Sequence, residues 1–297
     1  MNYYTIKDLE ALSGIKAHTI RIWEKRYGLL VPERTDTNIR FYTDEELKHL
    51  LNVAALVKRG HKISKVALYS QQRIQEEVLK LNQQTSSLDD FIDQLIIHII
   101  NFDTEKFEAL LDRLQERLGF EKMVTELIFP LFSKVGIYWQ IGSLFPAQEH
   151  MVSNLVRQRI ILETTRFKPA MNAKTVLLFL PENEMHELSL LFSQYLVLKY
   201  NYRAIYLGQN VPFSDLTGLA DQKLIELVVT VFVNAMKREQ LEKYLKDLSA
   251  LFKSQPIFVS GLQIRLHEPQ LPSNVSFINN ADVFREELLK IASIPRV

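Results

Sequence analysis

Five short runs of apolar residues alternate with helix-length segments over the C-terminal part of this 297-residue chain. The runs are Val176–Leu180, Ala204–Leu207, Leu227–Val233, Ile257–Val259 and Val275–Ile278. Strands that are apolar throughout are buried on both faces, as in parallel sheets whose crossover connections are helices. Residues 173–297 are therefore predicted to form an α/β domain with a doubly wound, Rossmann-like parallel sheet.

The preceding region, 88–167, has a different hydrophobic period. Apolar residues recur there at intervals of three and four, for example Ile96, Ile99 and Ile100, which is the spacing of an amphipathic helix. Four helices are predicted, at 88–101, 103–118, 120–140 and 146–167, and together they indicate a four-helix bundle. The polar stretch 82–87 separates this domain from residues 1–81.

The first 81 residues are predicted to form a winged helix-turn-helix domain. A helix that begins after Thr5 ends at Ser13-Gly14, and a second helix runs from Lys16 to Tyr27. The polar turn 35–38 lies between two short strands, which form a hairpin wing. Helices follow from Thr43 to Lys58 and, as one long helix, over 63–81.

Charge and composition limit the classes of function that the chain can have. Residues 1–70 hold a net charge of +4, because Lys and Arg outnumber Asp and Glu there, although the whole chain is at +1. A basic N-terminal domain favours a polyanionic partner. The chain has no cysteine, which excludes disulfides, thiolate metal sites and thiol nucleophiles. Without a signal or membrane segment in view, a cytoplasmic protein is expected.

Basic and polar side chains on the second helix and the wing are the candidate contacts to double-stranded DNA. On the second helix, Ile20, Trp23 and Tyr27 share one stripe that is predicted to be core, and the opposite stripe can enter a major groove. The candidates are Lys16, His18, Thr19, Arg21 and Lys25 on the helix, and Arg34, Asn38, Arg40 and Tyr42 on the wing. Solvated surface charge is the alternative for each.

The order of these residues is similar to the N-terminal domain of MerR-type regulators. The similarity covers residues 3–70 and rests on Thr19–Leu30, Pro32 with Arg34, Arg40–Tyr42 and Asp44–Leu47. It implies a dimer that places the second helix in the major groove and the wing on the DNA backbone. It also implies that the dimer forms through the long helix after this domain.

A second resemblance lies in the bundle. Trp139 is followed after nine residues by Glu149 and His150, as in the signature of adenosylcobalamin-dependent photoreceptor repressors. In that family the bundle covers the upper face of the corrin. The alternative is that Trp139 is a core aromatic residue and that Glu149 is a carboxylate placed favourably at a helix start.

The sheet domain resembles cobalamin-binding domains at three points. In that family the loop after the first strand reads Asp-x-His-x-x-Gly, and Ser-x-Leu and Gly-Gly follow later. Here the corresponding residues are Glu184, His186 and Ser189, then Thr230, then Ser260 and Gly261. The resemblance implies that His186 ligates cobalt from below and that Glu184 holds the other nitrogen of its ring.

Two serines depart from this pattern and leave two functions open. Ser189 and Ser260 replace glycines, and their Cβ atoms narrow the slot for the nucleotide tail. The first hypothesis is a transcriptional regulator whose assembly into a dimer or tetramer, and whose operator binding, are controlled by adenosylcobalamin and by light. The alternative is a regulator whose sheet domain has lost its ligand and serves oligomerisation or partner binding. An enzyme is not expected, because no substrate domain fits beside these three.

Overall fold

The computed structural model describes residues 4–34, 40–84, 87–140, 144–220 and 224–293. The chain divides into two compact units, Met1–Asn154 and Leu155–Val297. The three-domain division 1–81, 88–167 and 173–297 stays a prediction. Within the described ranges, no helix has both the length and the apolar character that a membrane span requires.

The N-terminal part has the predicted winged helix-turn-helix order. Its elements are α1 (Ile6–Ser13), α2 (Ala17–Tyr27), β1 (Glu33–Arg34), β2 (Arg40–Phe41), α3 (Asp44–Lys58), α4 (Ile63–Val66) and α5 (Gln71–Gln84). Capping boxes at Thr5 and Thr43 start α1 and α3, because each threonine satisfies an amide that the helix leaves without a partner. Gly28 ends α2 with a left-handed backbone.

The prediction of one long helix over 63–81 is wrong. α4 ends at Val66, and α5 begins at Gln71. The Ser70 side chain accepts a hydrogen bond from the amide of Arg73 at 3.2 Å. A serine that caps a new helix competes with continuation of the preceding one, so the chain turns between the two helices.

The predicted bundle helices are present with shifted ends. They are α6 (Leu88–Ile100), α7 (Thr104–Leu118), α8 (Phe120–Lys122), α9 (Phe129–Gln140) and α10 (Pro146–Thr164). A π-helical turn, Met123–Ile128, joins α8 to α9. It ends directly before Phe129-Pro130. A proline nitrogen cannot donate to the preceding turn, so the irregularity costs no hydrogen bond at that position.

The second unit contains the predicted parallel sheet. Its strands are β3 (Thr175–Pro181), β4 (Arg203–Val211), β5 (Ile225–Val231), β6 (Ile257–Ser260) and β7 (Val275–Phe277). The helices between and after them are α11 (Leu188–Lys199), α12 (Phe213–Ala220), α13 (Arg238–Leu251), α14 (Leu262–His267) and α15 (Ala281–Ser293). The strand order is β4-β3-β5-β6-β7, and every pair is parallel.

This order places a topological switch point between β3 and β5. The next strand after β3 lies on one side of it, and the one after that lies on the other side. Loops at the carboxyl ends of two such strands leave in opposite directions and form a crevice, where open α/β sheets bind ligands. Helices cover both faces, since Leu241 and Leu245 of α13 join one core cluster and Phe284 of α15 packs on Phe258.

β4 is an edge strand with an irregular register. Leu178 of β3 pairs with Tyr206, whereas the next residue, Phe179, pairs with Gly208, so that Leu207 is an extra residue. Gly208 has a φ of 79°, a left-handed backbone that suits glycine. A second register shift follows before Pro181. The edge strand is therefore bulged where it passes the loop after β3.

Candidate functional site

Helix α2 presents the two stripes that the sequence predicts. Ile20 and Trp23 are buried in the core of the winged helix-turn-helix domain. His18, Arg21 and Lys25 are exposed on the other side, and Thr19 between them is half-buried. The arrangement gives a positively charged helix face of the kind that enters a major groove.

The start of α2 is fixed by a carboxylate from α1. The amide of Ala17 donates to Glu10 at 3.0 Å, and Lys16 pairs with the same carboxylate at 3.1 Å. Gly14 makes the tight turn between the helices with a φ of 70°. Lys16 is thus engaged at the helix start but remains largely exposed, so it can still meet a phosphate.

The wing brings two of its predicted arginines opposite each other. Arg34 of β1 and Arg40 of β2 are direct cross-strand partners, and the Arg40 side chain is exposed. Asn38 and the rest of the turn, 35–39, lie outside the described residues. A pair of arginines at one height of a hairpin suits contact with the DNA backbone.

Tyr42 is the exception among the candidate DNA contacts. Its side chain is 0% exposed, and its hydroxyl donates to Glu24 of α2 at 2.8 Å. Burial, together with the Glu24 carboxylate, raises the pKa of Tyr42 well above its usual value. The structure therefore gives Tyr42 a different role from the predicted one: it joins the end of the wing to α2, and its buried side chain is not presented to DNA.

Replacing Tyr42 by phenylalanine is expected to destabilise the protein by about 1–3 kcal/mol, because the Glu24 carboxylate loses a charge-assisted hydrogen bond in a buried place. Urea unfolding measures this loss. DNA affinity of the folded variant is expected to fall far less than that of an Arg21 variant. A large affinity loss at unchanged stability would mean that Tyr42 touches DNA after all.

The candidate cofactor-binding residues of the bundle lie on either side of the connection between α9 and α10. Trp139 is the next-to-last residue of α9, and its side chain lies outside the described residues. Glu149 is in the first turn of α10, and its carboxylate lies 3.3 Å from Nδ1 of the exposed His150. Glu149 and His150 are therefore neighbours in the structure, and the convergence of Trp139 with them stays a prediction.

Gln148 is a residue that sequence reasoning missed. It is 4% exposed, it accepts the amide of Phe145 at 2.8 Å, and it donates to the carbonyl of Ile100 at 3.0 Å. It therefore fixes the start of α10, with Glu149 and His150, to the end of α6. Its position next to the Glu-His pair was the one available signal.

His186 lies in the loop after β3, at the switch point of the sheet. Its side chain is 56% exposed, whereas the Glu184 side chain beside it is 5% exposed. Nδ1 of His186 lies 2.6 Å from Oε1 of Glu184. The buried carboxylate thus holds one nitrogen of the exposed imidazole, as the sequence predicts.

Glu184 also spans the crevice. Its Oε1 accepts the amides of Met185 and His186, each at 3.0 Å. Its Oε2 accepts the amides of Val233 and Asn234, each at 2.7 Å, from the loop after β5. One carboxylate therefore ties together the loops of both strands at the switch point.

These hydrogen bonds determine that Glu184 is ionised and that Nδ1 of His186 carries a proton. Burial by itself would raise the pKa of Glu184, but the bonds from the His186 ring and from the amides of Asn234, His186 and Val233 outweigh it and lower the pKa to about 2. An ionised carboxylate only accepts, so Nδ1 of His186 is the donor. In the neutral ring Nε2 then carries the lone pair that a metal ligand needs.

Thr230 leaves a buried polar atom for which the described residues offer no partner. It lies in β5 between Phe179 of β3 and Val259 of β6. Its side chain is 0% exposed, and Oγ1 has no hydrogen-bond partner among the described residues. An unpaired buried hydroxyl costs free energy, and a ligand with an acceptor or donor at this place would recover it.

Of the three glycine positions of the resemblance, only one holds glycine in this chain. Gly261 has a φ of 109°, and a Cβ there would lie 2.2 Å from the carbonyl oxygen of Phe232. Its missing side chain thus makes room for the chain's own backbone. Ser260 and Ser189 are both half-buried, and their carbonyls accept hydrogen bonds from Phe232 and Ser193.

Three asparagines around the His186 loop were not predicted. Asn183 donates its amide to the side chain of Asn210 at 2.7 Å, and Asn210 donates its own amide to the carbonyl of Glu184 at 3.2 Å. The side chain of Asn234 donates to the carbonyl of Asn183. Asn183 and Asn210 have φ values of 66° and 54°, a backbone that asparagine tolerates. Asn183 and Asn234 follow strand ends, which was the available signal, whereas Asn210 lies within β4.

The donor set therefore fits a group that takes one axial imidazole from the protein. Within the described ranges, no cluster of three or more His, Asp or Glu side chains could hold a metal ion. His186 and Glu184 match the orientation that a metal-binding histidine and its carboxylate adopt. The buried hydroxyl of Thr230 lies in β5, the strand on the other side of the switch point.

Two family models match the chain. Residues 4–73 match "MerR HTH family regulatory protein", and residues 91–162 match "B12 binding domain". The first of these regions contains the DNA-contact candidates of α2 and the wing. The second contains Trp139, Glu149 and His150.

Two relatives align with the chain over most of their length. The chain is 29% identical to the HTH-type transcriptional repressor CarH of Myxococcus xanthus over 89% of its length and 91% of that protein. It is 27% identical to the repressor CarA of the same organism, over 88% of each. A monomethylamine corrinoid protein of Methanosarcina barkeri covers 69% of this chain and 100% of its own structure, with 15% identity and a TM-score of 0.48.

Proposed function

We propose that this chain, which joins a MerR-type helix-turn-helix domain to a B12-binding domain, is a transcriptional regulator that binds operator DNA under the control of a corrinoid. The observation that carries the proposal is the His186–Glu184 pair at the switch point of the sheet. Its exposed imidazole has a fixed tautomer, which a structural histidine of a solvated loop does not require. The two repressors that align over most of the chain support the role in transcription.

The residues that would hold a corrinoid fall into three groups. His186 would bind the metal from the sheet side, with Glu184 as its hydrogen-bond partner. Trp139, Glu149 and His150 would cover the opposite face, as the resemblance implies. Thr230, Ser189, Ser260 and Gly261 would lie along the nucleotide tail. Bound adenosylcobalamin supplies a cobalt–carbon bond that light can break.

Control of DNA binding follows from ligand-dependent assembly. A ligand that binds only the folded, assembled form stabilises it by RT ln(1 + [L]/Kd), which is about 2.7 kcal/mol at a hundredfold excess over Kd. That is enough to shift a monomer–oligomer equilibrium toward a dimer or tetramer. The oligomer then binds paired operator half-sites with higher avidity. Once one DNA-binding domain is bound, the second one binds at a high effective concentration. In this role the chain is a cytoplasmic regulator and not an enzyme.

The experiment is reconstitution of the purified chain with adenosylcobalamin, followed by gel filtration in darkness and after green light. The coloured cofactor is expected to coelute with protein in the dark as an oligomer that binds duplex DNA. Illumination is expected to shift the elution to smaller species and to weaken DNA binding. Absence of coelution would refute corrinoid control, and unchanged elution after light would refute photocontrol alone.

The ligand-free regulator remains the second candidate, and one observation favours it. The space beside Gly261 is filled by the backbone of Phe232, and serines stand at the other two narrow positions. If this alternative holds, the apoprotein binds its operator tightly, and adenosylcobalamin changes neither its elution nor its DNA affinity.

Replacing Thr230 by valine is expected to have opposite effects on stability and on binding. The apoprotein is expected to keep or gain stability, by up to about 1 kcal/mol, because an unpaired buried hydroxyl is removed at nearly constant volume. Corrinoid affinity is expected to fall several-fold. Thermal unfolding of the apoprotein and a spectroscopic titration measure the two. A loss of apoprotein stability would show that the hydroxyl has a structural partner.

A further inference from the structure

A second buried carboxylate lies on the C-terminal side of His186 in the sequence. Glu187 follows it directly and has a relative exposure of 8%. Its Oε2 accepts from Nε of Arg157 at 2.7 Å, and its Oε1 accepts from the hydroxyl of Tyr206 at 2.9 Å. A buried charge is tolerated when it is paired and hydrogen-bonded, and both carboxylate oxygens of Glu187 are engaged in this way.

The two donors come from different elements. Arg157 belongs to the part of α10 that lies in the second unit, and Tyr206 belongs to the edge strand β4. Gly208, at the bulge of β4, lies beside this carboxylate: a Cβ there would be in ordinary contact, 3.8 Å from Oε1 of Glu187, so the φ of 79° accounts for the glycine. Burial and the nearby Glu187 raise the pKa of Tyr206, so its hydroxyl keeps its proton and donates.

The loop that carries His186 is thus held by two carboxylates with different anchors. Glu184 ties the loop to the amides after β5, and Glu187 ties it to β4 and α10. We propose that Arg157, Glu187 and Tyr206 are positioning residues for the imidazole of His186, and that α10 is coupled to the metal ligand through the Arg157–Glu187 pair. This inference rests on the proposed function and adds residues that the sequence motifs do not contain.

The coupling has a simple physical basis. Glu187 is also the residue before the first turn of α11, and its carbonyl accepts the amide of Leu191 at 2.9 Å. If the guanidinium of Arg157 is withdrawn, the buried carboxylate is left with one hydrogen-bond donor fewer. The loop then moves to reach water, and the ring of His186 moves with it.

The test compares Arg157→Met and Tyr206→Phe with the wild-type chain. The matched control is Arg238→Met, which breaks an ion pair of 3.0 Å with Glu242 on α13 of the same unit. One arm measures hydrogen–deuterium exchange of the loop amides 184–187 in the apoprotein. The other arm adds hydroxocobalamin and reads the fraction of cobalt that carries imidazole, from its visible absorption.

Both variants are expected to exchange these loop amides at least about tenfold faster, and to lower the imidazole-ligated fraction at saturating cobalamin. The control is expected to change neither. Arg157→Lys is expected to restore part of both signals, because it returns the charge but not the same donor geometry. A purely structural role predicts lower stability with an unchanged absorption spectrum in the folded fraction.

The two arms separate this inference from the proposed function. Unchanged exchange and an unchanged ligated fraction in both variants would overturn the inference, whatever the wild-type chain binds. If the wild-type chain takes up no cobalamin, the proposed function fails, and the exchange arm alone decides: faster exchange sustains the positioning of the loop, and unchanged exchange refutes it.

Discussion

Replacing His186 by alanine is expected to lower the affinity for cobalamin by about 100-fold or more, while the chain stays folded. The side chain is more than half exposed, so its removal leaves no cavity in the core. It does remove the imidazole that lies at the switch point and that is the proposed metal ligand. Loss of a partner that only orients a metal ligand costs about 10–100-fold, and loss of the ligand itself is expected to cost at least as much. A spectroscopic titration of the apoprotein measures the change.

The control for this variant is His267→Ala in the same unit. His267 contacts the carbonyl of Met236 through Nε2 at 2.8 Å and has no place in the proposed site. Its replacement is expected to leave cobalamin affinity within a factor of two or three. Equal cobalamin affinity of the wild-type chain and His186→Ala would show that the binding site does not lie in the sheet crevice, even if the protein bound a corrinoid elsewhere.

Replacing Arg21 by alanine is expected to weaken operator binding by about 10- to 100-fold, equivalent to about 1–3 kcal/mol. Arg21 is exposed on the face of α2 that also carries His18 and Lys25. If it meets a base edge, specificity at that base pair relaxes as well. If it meets a phosphate, the slope of log affinity against log salt falls by about one. Fluorescence anisotropy with a duplex selected by the wild-type protein from a random pool distinguishes the two.

Arg26→Ala is the matched control on the same helix. Arg26 is also exposed, but it lies away from the Arg21 stripe, and its guanidinium lies over the ring of Tyr27 at 5.5 Å. Its loss changes the net charge by the same amount. A similar fall in affinity for both variants would mean that overall charge, and not the predicted face of α2, determines DNA binding.

The architecture was largely predictable from local patterns. β3, β5 and β6 are buried almost throughout, whereas β4 and β7 at the edges of the sheet are partly exposed, and all five strands were located from their apolar residues. The position of His186 at the carboxyl edge followed from its place after the first strand, because the order of strands and helices fixes where loops emerge. The winged helix-turn-helix domain was also predictable, because its helix caps and turns depend on residues that are close together in the sequence.

What could not be predicted depends on contacts between residues far apart in the chain. The bonds from Val233 and Asn234 to Glu184 span about fifty positions, and no periodicity indicates them. The burial of Tyr42 depends on Glu24 of another element. The break between α4 and α5 rests on one serine whose capping role competes with a good helical pattern.

The irregular edge of β4 bears on how such a chain avoids irreversible association. A straight outer strand offers a row of amides and carbonyls on which another molecule can grow a continuous fibril. The extra Leu207 and the left-handed Gly208 interrupt that row and twist it, so a second sheet finds no matching ladder. Self-association by strand addition at this edge of the sheet is thereby disfavoured.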